Sequence, residues 1–421
     1  MKHDDAAPSI SLGDVAKVYE AAASGELSNE ALYAGVAQRL GIPDSVLHAR
    51  QPVGSSGTPR STVKRAIRWH QQSLRSLGLL QRVADARGIW RLAETNKAGL
   101  SEAAPGTRLV AFSTRLGIAI WGDCRDVLLN LQEDIAASLF SPPYPLAKAR
   151  AYGNATANES EYVDFISTAL EPILRNLVDG GSICINVGSV YTPGLPSRSL
   201  YRERLILALC NRFSLSLVDR VVWYNPSSLP GPTRWACVNR VQLCSTYEDV
   251  LWFTNNPAAL RSDNRRVLQP HSPRQLKLIA KGGENRSGRF GDGAHRIAPG
   301  DFGAPTAGRL ARNVLSLGHR CPDADAYRRY AREHGLAVHG AMYPLSLASF
   351  FIQLLTQKGE LVVDPFGGRG TTGRAAELLG RRWLVVDKVL DYLRGGAGRF
   401  LDAEGFSMPR AVEDWALATP L

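Results

Sequence analysis

The sequence predicts an open α/β domain wound around a largely parallel sheet, preceded by a smaller helical unit. From about residue 108 onward, short apolar runs alternate with amphipathic segments of helical spacing, the pattern of strands joined by crossover helices. A glycine-rich turn (Gly367, Gly368, Gly370) follows one such run directly, as at the carboxyl end of a strand in a wound sheet. The chain has 421 residues, 44% of them hydrophobic, enough for two or three cores. No uninterrupted apolar stretch approaches the ~20 residues of a membrane span, and Met1 to Ile10 contains no apolar signal core. A cytoplasmic protein without a membrane partner is expected. The six cysteines (Cys124, Cys184, Cys210, Cys237, Cys244, Cys321) form no CxxC pair, and no His-rich cluster accompanies them. They are expected to be reduced thiols, mostly core filler, with no metal site.

Residues 1–100 form the first unit. Asp14 to Ala23 and Ser28 to Leu40 show helical apolar spacing, with Ser28 as a cap and Ala31, Leu32 and Val36 facing inward. A Gly/Pro/Ser-rich loop (Gln51 to Arg60) leads to a helix from Ser61 to Leu77, and the runs Leu80 to Val83 and Ile89 to Leu92 flank a turn. Three helices and a β-wing are the order of a winged helix. The third helix carries Lys64, Arg65, Arg68, His70 and Arg75, and Arg65 and Arg68 are the expected DNA contacts.

A polar, small-residue linker (residues 96–108) marks the boundary. Strands are then expected at Gly117 to Trp121, Ile135 to Phe140, Ser182 to Val187, Leu217 to Trp223, Asp249 to Thr254, Leu361 to Val363 and Trp383 to Val386, seven in one sheet. Helices are expected at Asp126 to Gln132, Tyr162 to Val178, Arg202 to Phe213, Pro344 to Gln357 and Thr372 to Leu379. These divide into residues 108–254 and 321–421. Between them, residues 255–320 are rich in glycine turns, lack periodicity and read as an insertion outside the core. The formal charge of +11 is concentrated there, with twelve Lys or Arg against four acids. A polyanionic partner fits that excess, and Arg265, Arg266, Arg274, Arg289 and Arg296 are the candidate DNA contacts.

Two segments carry the chemistry. Gly367, Gly368 and Gly370 permit positive φ and close backbone approach, so a flat or bulky cofactor can lie across the turn and the helix that begins at Thr371-Thr372. No Gly-Lys-Ser/Thr follows, which excludes a Walker nucleotide site, and the spacing is out of register for a nicotinamide dinucleotide. The next strand ends at Asp387, placed to accept hydrogen bonds from both ribose hydroxyls of an adenosine. The second segment, Ser141-Pro142-Pro143-Tyr144, also follows a buried-type run.

Asp364-Pro365-Phe366-Gly367-Gly368-Arg369-Gly370-Thr371-Thr372, with Gly380 to Asp387 and Tyr392 beyond it, resembles the S-adenosylmethionine site of the amino-group DNA methyltransferases. Ser-Pro-Pro-Tyr resembles their catalytic motif in the form usual for N4-cytosine enzymes. Gly122-Asp123-Cys124, Gly180 to Gly188, Trp223 to Pro226 and Tyr343-Pro344 match in type and order, so the resemblance covers about residues 110–400. The catalytic motif precedes the cofactor motif, as in the circularly permuted β class, with target recognition between the halves. The resemblance implies a Rossmann-like fold, S-adenosylmethionine as cofactor and double-stranded DNA as partner. It leaves room for a homodimer and for a cognate restriction endonuclease. It also implies that Asp123 and Cys124 lie at the adenine, Asp387 at the ribose, and Phe366 to Thr371 at the methionine part, with Tyr343 and Pro344 beside them. Arg369 stands where a small residue is usual, and Asp387 where Glu is commoner.

An aromatic amine is a poor nucleophile because its lone pair is delocalised into the ring. Acceptors that hold a pyramidal nitrogen in line correct this: Ser141 Oγ and the Pro142 carbonyl, held rigid by Pro143, would take the two amino hydrogens, and Tyr144 would stack on the base. No Pro-Cys nucleophile of the C5-cytosine enzymes is present; Cys321 precedes Pro322. The target must be flipped out of the duplex, and the loop from Pro145 to Glu161 is the expected flap over it. Transfer to N6 of adenine is the alternative, and an inert DNA-binding regulator a further one. A glutamine-amide protein methyltransferase would carry the cofactor motif first and Asn as its first catalytic residue, so the order argues against it.

Overall fold

The computed structural model describes residues 26–53, 58–76, 80–83, 88–92, 106–144, 158–227, 233–340 and 343–409, with isolated positions among residues 10–22 and 86–103. Most of the expected flap, residues 145–157, lies outside the described residues.

In the first unit, Ser28 Oγ accepts from Ala31 N at 3.2 Å and caps the helix Asn29–Leu40. That helix turns Leu32, Tyr33, Val36 and Ala37 inward, whereas Ala31 is exposed, one position off the expected stripe. The basic helix runs Thr62–Ser76, and Ser61 Oγ accepts from Lys64 N at its start. The hairpin Leu80–Arg82 with Ile89–Leu92 gains a third strand, Glu26–Ser28, antiparallel to its second arm. The stretch expected as a loop is a second hairpin, Arg50–Val53 with Thr58–Ser61. Two prolines face one another there (Pro52 and Pro59), which prevents further pairing and hides the strand signal.

Among the described residues the second unit is built on a nine-stranded sheet. Its strands in chain order are β1 (Arg108–Ser113), β2 (Gly117–Gly122), β3 (Ile135–Phe140), β4 (Leu177–Val187), β5 (Ser216–Tyr224), β6 (Tyr247–Thr254), β7 (Val314–Ser316), β8 (Leu361–Asp364) and β9 (Arg382–Asp387). Their spatial order is β7-β5-β6-β4-β3-β8-β9-β2-β1. All seven expected strands are in it. The two additional ones are edge strands: β1 is half exposed and folds back on β2, and β7 is three residues long, too short for a periodicity to show. The five central strands β4, β3, β8, β9 and β2 are parallel. Every residue of β3 and β8 is buried, as strands covered on both faces require.

Helices α1 (Glu159–Arg175) and α2 (Tyr201–Phe213) share one hydrophobic cluster with one face of the sheet. The other face belongs to a cluster with α4 (Leu345–Leu355), α5 (Thr371–Leu378) and α6 (Leu390–Ala397). Helix α3 (Pro322–Glu333) packs against α6. The helix expected over Asp126 to Gln132 is a single turn, Cys124–Val127, begun by Asp123. The basic insertion is partly core: Val267 and Leu315 are buried in the second cluster, and β7 extends the sheet. All six cysteines are free thiols, but only Cys124 and Cys184 are buried, so most are not core filler. Among the described residues no helix is long and apolar enough to cross a membrane.

One buried ionic cluster joins β6 to α2 and β5. Asp249 Oδ2 accepts from Arg202 at 2.6 Å and from Arg220 at 3.0 Å, and Arg202 is itself buried. Asp249→Asn strands the Arg202 charge in the interior and should destabilise the protein by about 3–5 kcal/mol. Denaturant unfolding checks this, and an unchanged midpoint would show the pair contributes nothing.

Candidate active site

Strands β3 and β8 are parallel neighbours, with Ser138 opposite Val363 and Ser138 Oγ donating to the Val363 carbonyl at 2.9 Å. Ser141 to Tyr144 and Asp364 to Thr372 therefore leave the sheet side by side at its carboxyl-terminal edge, where wound sheets place ligands. A buried knot holds the two together. Thr372 Oγ1 lies within hydrogen-bond distance of both the Leu139 carbonyl (3.1 Å) and Asp364 Oδ2 (2.6 Å), sharing its one hydrogen between them, and the Tyr343 hydroxyl meets Thr372 Oγ1 and lies 3.4 Å from Asp364 Oδ2. Asp364 Oδ1 accepts from Phe366 N at 3.0 Å. Burial pushes the Asp364 carboxyl up to about 7, against the opposing hydrogen bonds. Asp364, Thr372 and Tyr343, expected at the cofactor, are thus buried braces of the turn that would receive it.

The turn itself depends on its glycines. Gly368 and Gly370 have φ of 50° and 75°, and a Cβ on Gly367 would stand 2.0 Å from Val385 Cγ1. Gly367 N donates to the Val386 carbonyl at 2.8 Å. Asp387, at the end of β9, accepts from Gly368 N (2.6 Å) and Val389 N (2.8 Å), so the turn and the second strand are stitched together. Pro365 is buried, Pro344 caps α4 and Thr371 is buried in the first turn of α5. Phe366 packs between Phe140 and Phe165.

One strand further on, Asp123 follows β2. Burial opposes its charge, but the Arg125 guanidinium and backbone amide and Lys388 hold its carboxyl well below the usual carboxylate range. Cys124 is buried and its thiol is pushed up to about 12, chiefly by burial, so it is unreactive. The buried Arg369 donates to Thr371 Oγ1 (2.9 Å) and lies over the Tyr327 ring. Its guanidinium is lowered to about 10, first by burial and then by Arg399. Among the described residues its Nη1 finds no acceptor, and a carboxylate beside the turn would satisfy it.

On the catalytic side, Pro142 is buried and Ser141, Pro143 and Tyr144 are half-buried. Gly188 lies against the Tyr144 ring, where a Cβ would stand 2.8 Å from Cε2. The Tyr144 hydroxyl lies 3.2 Å from Ser141 Oγ and 2.9 Å from Glu248 Oε2. Glu248, in β6, has no signal in the sequence beyond an acid near the start of a strand.

The basic candidates divide. Residues 255–267 wrap the amino-terminal edge of the sheet, away from Ser141: Asn255 donates to the Leu177 and Val178 carbonyls at the start of β4. Arg265 is exposed but forked onto Asp263, and Arg266 donates to the Leu354 and Thr356 carbonyls at the end of α4. Neither is beside the pocket, contrary to the placement expected from motif order. Arg274, on the helix Pro273–Ala280, and Arg289 and Arg296, on the hairpin Gly288–Phe290 with His295–Ile297, are exposed. The chain regains the carboxyl-terminal edge after β7, where His319 stacks on Trp223. Arg320, from the basic stretch, and the α3 arginines Arg328, Arg329 and Arg332, which the sequence did not single out, line a cleft there with Asp325 and Glu333. In the first unit, Arg65 and Arg68 line a cleft with His48, Arg50, Arg60 and Lys64.

The family profile described as DNA methylase matches residues 135–397. The chain is 30% identical over 293 residues to the type II methyltransferase M.PvuII of Proteus hauseri, covering 69% of this chain and 86% of that protein. It is 23% identical over 290 residues to the type II methyltransferase M.ScaI of Streptomyces caespitosus, covering 68% and 82%. The solved structure of the PvuII DNA methyltransferase (cytosine-N4-specific) superposes with a TM-score of 0.55 at 25% identity, over 75% of this chain and 96% of that one.

The raised Asp364 carboxyl sets a pH dependence. The folded protein keeps its proton up to about 7, whereas the unfolded chain releases it near pH ~4, so folding loses stability as pH rises through that window. Asp364→Asn should make the slope of stability between these limits shallower. Urea unfolding at several pH values measures it, and an unaltered slope would mean the carboxyl titrates normally.

Proposed function

The chain belongs to the DNA methylase family, and on that premise we propose that it methylates the N4 amino group of cytosine in double-stranded DNA with S-adenosylmethionine. The observation that carries this is the emergence of Ser141-Pro142-Pro143-Tyr144 and the glycine turn side by side from β3 and β8. Bound S-adenosylmethionine supplies the methyl group as a sulfonium. The positive-φ glycines, the Asp387 carboxylate one strand away and the orphaned Arg369 Nη1 suit a ligand with ribose hydroxyls and a carboxylate. In this reading Asp387 holds the ribose, Asp123 faces the adenine, and Phe366 to Thr371 carry the methionine part. Ser141 Oγ and the Pro142 carbonyl accept the amino hydrogens of the flipped cytosine and aim its nitrogen, while Tyr144 stacks on the ring.

The serine form of the motif and the cytosine-N4 specificity named for the PvuII relative support cytosine over adenine. The first unit, read as a winged helix, adds phosphate contacts through Arg65 and Arg68, and Arg274, Arg289 and Arg296 contact the DNA from the insertion. Arg320, Arg328, Arg329 and Arg332 join them from the cleft they line with Asp325 and Glu333. The relatives are called type II methyltransferases, which supports a restriction endonuclease as partner.

Nucleoside mass spectrometry on DNA from cells expressing the protein should detect N4-methylcytosine and no C5-methylcytosine. N6-methyladenine as the sole product would overturn the assignment to cytosine. Asp387→Ala should weaken S-adenosylmethionine binding by roughly 2 kcal/mol, the loss of charge-assisted hydrogen bonds in a half-buried site. Isothermal titration reads this directly, and wild-type affinity would remove Asp387 from the cofactor site.

A further inference from the structure

Glu248 reaches the catalytic pocket with no Lys, Arg or His at ion-pair distance among the described residues. One of its hydrogen-bond partners is Tyr144, whose hydroxyl lies 2.9 Å from Oε2 and 3.2 Å from Ser141 Oγ. An ionised carboxylate can only accept, so Tyr144 donates its single hydroxyl hydrogen to Glu248, and its oxygen is left to accept from Ser141. Ser141 Oγ then has its lone pairs free for an amino group. The donors already point the way a proton would travel.

We propose that Ser141, Tyr144 and Glu248 form a proton relay that takes the surplus amino proton of the target base to the Glu248 carboxylate. The proposal rests on the amino-methylation reading above. The amine's electron pair forms the new N–CH3 bond, and the S–CH3 pair stays with sulfur as the sulfonium becomes a thioether. The nitrogen is left with one positive charge and one hydrogen in excess. That proton passes to Ser141 Oγ, the hydroxyl proton of Ser141 passes to Tyr144, and that of Tyr144 to Glu248, which becomes a neutral acid. Nothing is oxidised or reduced. Glu248 returns its proton to solvent before the next turnover.

The surroundings suit an acceptor. Tyr144 faces Glu248 from the loop after β3, Asn186 from β4 and Tyr201 from α2, while Asp249 adjoins it in β6 and is itself held by Arg202 and Arg220. Burial raises the Glu248 carboxyl above the ordinary glutamate range, and the neighbouring Asp249 charge adds to this, against the hydrogen bonds of Tyr144 and Asn186. A base raised in this way is better matched to a proton transfer near neutral pH than an ordinary glutamate. Asn186 also steadies the arrangement, since its side chain reaches the Asp249 carbonyl on the same strand.

The test is the single-turnover rate of methylation of a duplex oligonucleotide as a function of pH, for the wild-type protein, Glu248→Gln, Glu248→Asp, Tyr144→Phe and the double variant Tyr144→Phe/Glu248→Gln. The wild-type rate should fall on the acid side as Glu248 becomes protonated. Glu248→Gln keeps an acceptor for Tyr144 but no base, so its plateau should drop about 100-fold and the acid limb should vanish. Glu248→Asp should retain the limb. Tyr144→Phe should lose a similar factor, with no further loss in the double variant, because both interrupt one path. S-adenosylmethionine titration and the fluorescence of 2-aminopurine at the target position should remain at wild-type levels in Glu248→Gln. If that variant fails to flip the base, the limb of Glu248→Asp decides. A wild-type plateau and limb in Glu248→Gln, a lost limb in Glu248→Asp, or losses that multiply in the double variant would overturn the relay. A wild-type protein that methylates no amino group in DNA would instead overturn the functional reading.

Discussion

The site depends on one hydroxyl. Thr372 Oγ1 touches the Leu139 carbonyl near the end of one strand, 233 residues earlier in the chain, and the Asp364 carboxyl at the end of its neighbour. Because α5 begins at Thr371, that contact also fixes where the helix starts. The Tyr343 hydroxyl closes the knot from the segment that leads into α4. All of these groups are buried, so each polar atom must find its partner inside, and the turn is held by the bonds that satisfy them together. Precision at the pocket thus rests on polar groups buried beneath the turn.

The strands that build the sheet's centre were legible because burial on both faces demands unbroken apolar runs, and Ile135 to Phe140 and Leu361 to Val363 are such runs. The edges were not. Arg108 and Leu109 in β1 are exposed, so that segment reads as linker, and Val314 to Ser316 is too short to carry a period. The motif residues were legible, but their internal bonds were not: Asp364 and Thr372 also brace the turn, and Asp387 also ties it to the second strand through Gly368 N. Glu248 was invisible because its meaning lies in the pairing of β6 with β4, which brings it beside a loop a hundred residues earlier.

Charge was the least positional signal. The count of arginines in residues 255–320 is a fact of composition, but the fold sends the first of them to the amino-terminal edge, where Arg266 satisfies the carbonyls that end α4. Arg328 and Arg332, outside the dense stretch, lie on α3, which follows the return of the chain past β7. A basic run therefore indicates a partner's sign without indicating the face that meets it.

The order of the strands has a bearing on how the molecule is made. β2 and β3 are early in the chain and never pair with each other; the gap between them is filled by β8 and β9, which are synthesised more than two hundred residues later. Until then both early strands present open apolar edges, the state most prone to pairing with another chain. A ribosome that stalls before residue 361 would release a half-sheet with its seam open. For this topology the vulnerable moment is in translation, and the seam is sealed only when residues 361–387 follow the strands on either side of it.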